Sequence, residues 1–232
     1  MRIGAPRPLP LILRDTREPH PHVRSVVEVE GVNGVMVERC EVCGGRRECE
    51  APFTPFIVRN NERIDLPVAR VTLAEGDYSL PGFARSREGS EEWSGERWAV
   101  IERKSLTDAI STVVGSTVDA LGERADNRER FAEELARMRA YHFRTIVIEA
   151  TPGDVQREAE NPRRRFSAAS VLGSYAAFAV RFGIQVWWAG SRVGAEWYVG
   201  TVLARMWEEH TGGPAQKKAQ ARGDAMPWIG GS

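Results

Sequence analysis

A net charge is the first thing missing. The 32 basic and 32 acidic side chains cancel over 232 residues, so no global field draws in a polyanion, and any nucleic-acid surface must be a local patch. Long apolar runs are also missing. None approaches the ~18 residues of a membrane-spanning helix, and the proline-rich opening, with Asp15 early in it, lacks a signal-peptide core. The chain therefore reads as intracellular, with no membrane partner. Cysteine is scarce, and Cys40, Cys43 and Cys49 fall so close together that a disulfide framework is excluded. Nothing repeats at solenoid spacing.

What is present fits one generous domain or a domain with an inserted module. Leu9 to Leu13 reads as a buried strand running into Arg14-Asp15-Thr16-Arg17-Glu18, where Pro19 stops it. Val23 to Val29 and Val35 to Val37 alternate around Asn33-Gly34, a hairpin signal, and the cysteines follow at once. Residues 20 to 55 are thus expected to be a small cysteine-containing hairpin insertion in a main domain of residues 1 to 210. The spacing C-X2-C-X5-C, with a Gly-Gly turn, suits a zinc knuckle, whose fourth ligand would be His20 or His22; three free thiols are the alternative.

The main domain resumes with a strand over Leu66 to Leu73 and the turn Glu75-Gly76-Asp77, then a surface loop over 82 to 97 and a strand over Trp98 to Lys104. Ser105-Leu-Thr-Asp108 carries a helix-start signature, which makes Asp108 a cap. Residues 115 to 127 are expected to be a loop facing substrate. Phe131, Leu135 and Met138 then recur at helical spacing over Arg128 to Tyr141, with Arg128 and Arg130 at the start. Arg144 to Ala150 is a central strand reaching Glu149, which either joins the site or is a solvated strand end. A Pro-Gly turn and the basic run Arg163-Arg164-Arg165 precede a helix over Ser167 to Phe182, a strand over Ile184 to Ala189 and a helix over Gly194 to His210. Trp187 and Trp188 belong to core or interface. Residues 211 to 232 read as a disordered tail. Alternating strands and helices of this kind predict an α/β fold, a mixed sheet flanked by helices.

Strand alternation puts Glu102 and Lys104 on one face and Arg103 on the other. Three strand ends offer Asp15, Asp77 and Glu102, and such ends converge in one sheet although they lie far apart in sequence. Carboxylate oxygens suit a hard cation such as Mg²⁺ or Mn²⁺, which activates water and neutralises a phosphodiester. Arginine forks match phosphate oxygens. The residues alone reach a metal-dependent phosphodiesterase.

Gly76-Asp77, a spacer, Glu102-Arg103-Lys104 and Asp108 also match the GDX(n)ERKX3D signature, and in this the chain resembles the XPF-type structure-specific endonucleases. Asp15-Thr16-Arg17-Glu18 is similar to that family's opening D-X-R-E, and Arg130-Phe131 followed by Leu135 to its Arg-aromatic helix. The likeness covers roughly residues 9 to 205 without the insertion. It implies a restriction-endonuclease-like core cutting DNA with Mg²⁺ or Mn²⁺, in the cytoplasm or at the nucleoid. Asp77, Glu102 and Asp15 would then hold metal, and Lys104 would orient the attacking water. Arg17 and Arg103 would contact phosphate or support the carboxylates, with Asp108 as the final acid. Arg128, Arg130, Arg163, Arg164 and Arg165 are candidate DNA contacts. Branched, flapped or forked DNA is the implied substrate and a homodimer through the nuclease domain the implied assembly. The competing reading is a non-catalytic DNA-binding subunit; degenerate partners lose the acids or lysine of the motif, and all are present here. The residues from Phe182 to Ser232 do not offer the Gly-hairpin pairs expected of that family's tandem helix-hairpin-helix modules.

Overall fold

The structure, a computed structural model, describes residues 9–15, 24–27, 37–40, 53–86, 95–118 and 124–210. Arg17, His20, His22, Cys43, Cys49, the Asn33-Gly34 turn and residues 211–232 lie outside them, so the zinc knuckle and the tail do too. In chain order the elements are β1 (Ile12–Asp15), β2 (Arg24–Val27), β3 (Val37–Cys40), β4 (Phe56–Arg59), β5 (Glu62–Asp65), β6 (Val68–Val71), β7 (Tyr78–Ser79) and β8 (Ala99–Lys104). They continue with α1 (Leu106–Val114), β9 (Ser116–Val118), β10 (Arg124–Asp126), α2 (Asn127–Met138), β11 (Phe143–Ile148), α3 (Pro152–Ala159), α4 (Ala168–Phe182), β12 (Gln185–Trp188) and α5 (Arg192–His210). Among the described residues no helix is long and apolar enough to cross a membrane.

The main sheet has six strands in the order β12-β11-β8-β7-β1-β6. Every neighbouring pair is parallel except those made by β7, which runs against both β1 and β8. It follows that β1, β6, β8, β11 and β12 all point the same way. Their C-terminal ends, together with the N-terminal end of β7, share one edge. Asp15 and Lys104 end strands there, and Asp77 precedes β7, so one reversed strand gathers residues that the chain holds far apart.

Alternation sorts the side chains into two cores. Leu13, Val100, Ile146 and Ile148 face α1, α2 and α4, while Ile12, Ile101 and Val147 face α5 and β4. Helices thus cover both faces of a nearly parallel sheet, which explains why its strands read as continuous apolar runs. Gly200 lets α5 lie directly on β4, since a Cβ there would come within 2.3 Å of the Phe56 carbonyl oxygen.

Four details depart from the sequence reading. Residues 115 to 127, expected as a loop, contain the β9–β10 ladder and the start of α2. The Pro-Gly pair opens α3: Pro152 occupies the first turn behind a Thr151–Asp154 capping box, a position where proline's missing N–H costs nothing. The hairpin β4–β5 was not foreseen; it turns on Asn60-Asn61, both at positive φ. Phe53, inside the stretch expected to be an insertion, is buried in the core against Tyr78, their ring centroids 5.0 Å apart.

Candidate active site

Asp77 reaches the sheet edge through a turn that only glycine makes without strain. Gly76 has φ +64°, and a Cβ on it would sit 2.4 Å from Val100 Cγ2. The turn is then clamped from both sides. The Asp77 N–H donates to the Ile101 carbonyl at 2.8 Å, its carbonyl accepts from the Asp15 N–H at 2.8 Å, and its Oδ2 accepts from the Arg103 N–H at 2.7 Å. Asp15 is buried, and its Oδ2 accepts from the Leu73 N–H at 2.7 Å. Asp15 and Asp77 are therefore brought together by backbone pairing, and the Asp15 carboxylate holds the start of the turn that delivers Asp77.

Glu102 and Lys104 emerge on the α2 side, as alternation requires. Lys104 Nζ donates to Glu102 Oε1 and stands 4.7 Å from the Phe131 ring centroid on α2. Burial by itself would lower the lysine's pKa. The carboxylates of Glu102 and then Asp77, with Glu134 behind them, outweigh that and hold the ammonium above its ordinary range. Lys104 lines a cleft of about 370 Å³ shared with Asn127, Arg130, Glu134 and Arg137 of α2.

Arg103 projects to the other face, where Nε donates to Glu149 Oε1 at 2.8 Å and the guanidinium lies 4.9 Å from the Phe53 ring centroid. Both charged side chains are about nine-tenths buried, at 11% and 10% exposure. Glu149 is thus not a solvated strand end; it is the counter-ion of Arg103. Ser105, not Asp108, is the N-cap of α1: the Asp108 N–H donates to Ser105 Oγ at 3.1 Å, and Ser105 Oγ donates to Asp108 Oδ2 at 2.6 Å, so Asp108 stands in the first turn as the partner of the cap.

The basic residues separate into different places. Arg130 lines the Lys104 cleft, Arg128 lies over Phe178 at 6.0 Å, and Arg163, Arg164 and Arg165 line a groove beyond α1. Sequence reasoning missed a buried pair below the site, Tyr141 donating to Glu75 Oε2 at 2.8 Å. Burial, then the Glu75 carboxylate, pushes the Tyr141 phenol above its ordinary range. Glu75 stands two residues before Asp77, and no motif marked it.

Among the described residues no three His, Cys, Asp or Glu side chains gather closely enough to cage a metal ion. A looser fit exists. Glu102 Oε2 is buried without a hydrogen-bond partner, an acceptor that costs free energy until something positive reaches it. Carboxylate oxygens suit magnesium, which is usually held by one or two carboxylates, with waters and substrate phosphate completing the shell. Glu102 and Asp77 fit such an ion; the residues do not form an all-protein cage.

Comparison with known proteins bears on these residues directly. The family model for the ERCC4 domain matches residues 46–198. The chain belongs to the ERCC4 domain family, that of the XPF-type nucleases. The ERCC4 match takes in Asp77, Glu102, Lys104, Asp108 and Glu149 and begins after β1, so Asp15 joins the domain through space and not through the matched segment. Solved structures similar to this ERCC4 domain chain include two of XPF. One is XPF from Aeropyrum pernix, with 18% identity, a TM-score of 0.46, and coverage of 85% of this chain and 61% of that one. The other is XPF from Aeropyrum pernix in complex with DNA, with 22% identity, a TM-score of 0.39, and coverage of 71% and 64%. The chain thus spans less than two thirds of the XPF chains it matches. No curated protein matches it.

Proposed function

We propose that the protein is a Mg²⁺- or Mn²⁺-dependent endodeoxyribonuclease that hydrolyses phosphodiester bonds, with branched, flapped or forked DNA as substrate. The observation that carries this is the orphaned Glu102 Oε2, buried beside Lys104 on an ERCC4 domain's sheet edge. A hard cation there would lower the pKa of a bound water and offset the charge gathering on a phosphate. Glu102 and Asp77 would hold that cation. Asp15 adds negative charge and fixes the turn carrying Asp77. Lys104, which lines the cleft beside Glu102, orients the attacking water. Arg130 and Arg137, on the opposite wall, would bind the DNA backbone, as guanidinium forks do. Arg103 acts by support: its amide holds Asp77 Oδ2, and its side chain is occupied by Glu149. Asp108 sets the start of α1. A role for Arg17 and a structural zinc on Cys40, Cys43 and Cys49 belong to the proposal on sequence grounds, as does a homodimer through the nuclease domain.

The decisive experiment is cleavage of a panel of single-stranded, duplex, flap, fork and four-way DNA with Mg²⁺ or Mn²⁺. Asp77→Asn and Lys104→Ala should each lower kcat by about 10²-fold or more while DNA binding without divalent ion persists. Unchanged cleavage in both variants would sink the reading, and tight binding with no cutting under any divalent ion would favour the non-catalytic subunit instead. Elemental analysis of protein purified without chelator tests the zinc, and mass measured across a concentration series tests the dimer.

A further inference from the structure

Helix α1 separates two concavities. Thr112 faces the Lys104 cleft on one side, whereas Ile110 and Val114 line a groove of about 390 Å³ on the other. The far wall of that groove is the segment between α3 and α4, with Arg163, Arg164 and Arg165 leading into Phe166. Neither the family signature nor the chemistry proposed above uses it.

Its two walls differ in chemistry. Ile110, Val114 and Phe166 give an apolar floor, of which Val114 is 45% exposed. The rim is cationic. Arg164 Nε pairs with Glu158 Oε2 at 3.5 Å, while Arg163 and Arg165 have no carboxylate at ion-pair distance among the described residues. The arginines give the groove a positive rim in a chain whose net charge is zero.

A duplex offers a protein patch only phosphate and sugar unless a groove is entered, so an apolar floor would be wasted on it. A small metabolite anion would use the arginines and leave the floor in water. An unpaired strand presents both partners at once: phosphates along its backbone and flat apolar base faces beside them. The volume, near the low end of the roughly 300–1,000 Å³ range of small-ligand sites, suits one base with its sugar. Moreover, α1 begins two residues after Lys104, so a strand lying in the groove passes within one short helix of the proposed cutting site.

We propose that the groove between α1 and residues 163–166 binds an unpaired strand of the DNA substrate, with Arg163 and Arg165 on its phosphates and Val114, Ile110 and Phe166 against a base. This rests on the nuclease reading for its biological sense and on charge and surface complementarity for its physics. On a forked substrate, α1 then stands between the strand presented to Lys104 and the strand that has left the duplex.

The test measures binding to the full chain, without divalent cation, of two labelled probes: an oligothymidine of about 20 nucleotides and a hairpin duplex of similar length. Arg163→Ala combined with Arg165→Ala should weaken single-strand binding about tenfold or more and reduce its salt slope by about 1.4, the value for two phosphate contacts. Val114→Glu and the milder Val114→Ser, at a half-exposed position that tolerates change, should weaken single-strand binding about fivefold and leave duplex binding unchanged. Equal losses for both probes in every variant would reduce the groove to a general phosphate clamp and overturn the proposal; unchanged single-strand binding would do the same. Cleavage plays no part in this measurement. A chain that cuts no DNA but shows these losses sinks the nuclease reading and keeps the groove, and a chain that cuts without them does the reverse.

Discussion

Arg103 works through two atoms that point in different directions. Its amide N–H anchors Asp77, and its guanidinium neutralises Glu149 under the opposite face of the sheet. Removing one partner of a buried ion pair leaves the other charge stranded, so Glu149→Ala should cost about 3–5 kcal/mol of stability, read by denaturant unfolding. Glu149→Gln keeps an acceptor for Arg103 Nε and should cost less. Arg103→Ala leaves the amide in place, so its cleavage defect should be recovered at least in part at low temperature, where the destabilised fold is populated; a loss of kcat in fully folded protein would show direct contact with DNA. The sequence foretold that Arg103 would face away from Glu102 and Lys104, because alternation in a strand is local. It left Glu149 undecided between joining the site and a solvated strand end, and the burial of Glu149 against Arg103 removes the second. Their contact joins residues 46 positions apart across parallel strands, and no local pattern encodes it.

At the scale of elements, the legible pieces were those with their own local chemistry. Ser105 and Asp108 announced α1, and the apolar stripes announced α2, α4 and α5. Loss of the α1 cap by Ser105→Ala should cost about 1 kcal/mol, a fall of about 2–4 °C in Tm for a chain of this size by calorimetry. The hairpin β4–β5 stayed hidden because its turn is Asn60-Asn61 and not the expected Asn-Gly. That gives a test of the geometry: at φ +65° an asparagine is tolerated and glycine preferred, so Asn61→Gly should raise stability by up to about 1 kcal/mol. A loss instead would mean that the turn differs from the one described. By contrast, Gly76→Ala meets both a positive φ and the Val100 side chain, and should destabilise the fold and displace Asp77 together.

For the molecule as a whole, three phenols set an alkaline limit. Burial pushes Tyr175 and Tyr198 up, and burial with the Glu75 carboxylate does the same to Tyr141. Below about pH 10 all three are protonated folded or unfolded. Above it the unfolded chain releases those protons first, so the folded state binds more of them and stability falls as pH rises. Tm measured from about pH 8 to pH 11 should therefore decline, and Tyr175→Phe should flatten the decline while lowering the neutral-pH value through loss of its hydrogen bond to the Ala109 carbonyl. The two cores and the convergence of strand ends were legible from apolar runs and acids. The reversal of β7 was not, since two residues are too few to carry a direction.

That reversed strand divides the sheet. Strands β6 and β1 lie to one side and β8, β11 and β12 to the other, joined across β7 through Tyr78, Ser79 and the amides at Asp15, Asp77 and Arg103. The proposed site is built on this seam. A small parting of the halves would stretch those few bonds and leave either flank's own ladder whole, so in native-state hydrogen exchange the Asp15 and Asp77 amides should open at lower free energy than those of Ile146 and Val147 in β11. The grip on the acids would then loosen and re-form while the rest of the protein stays folded.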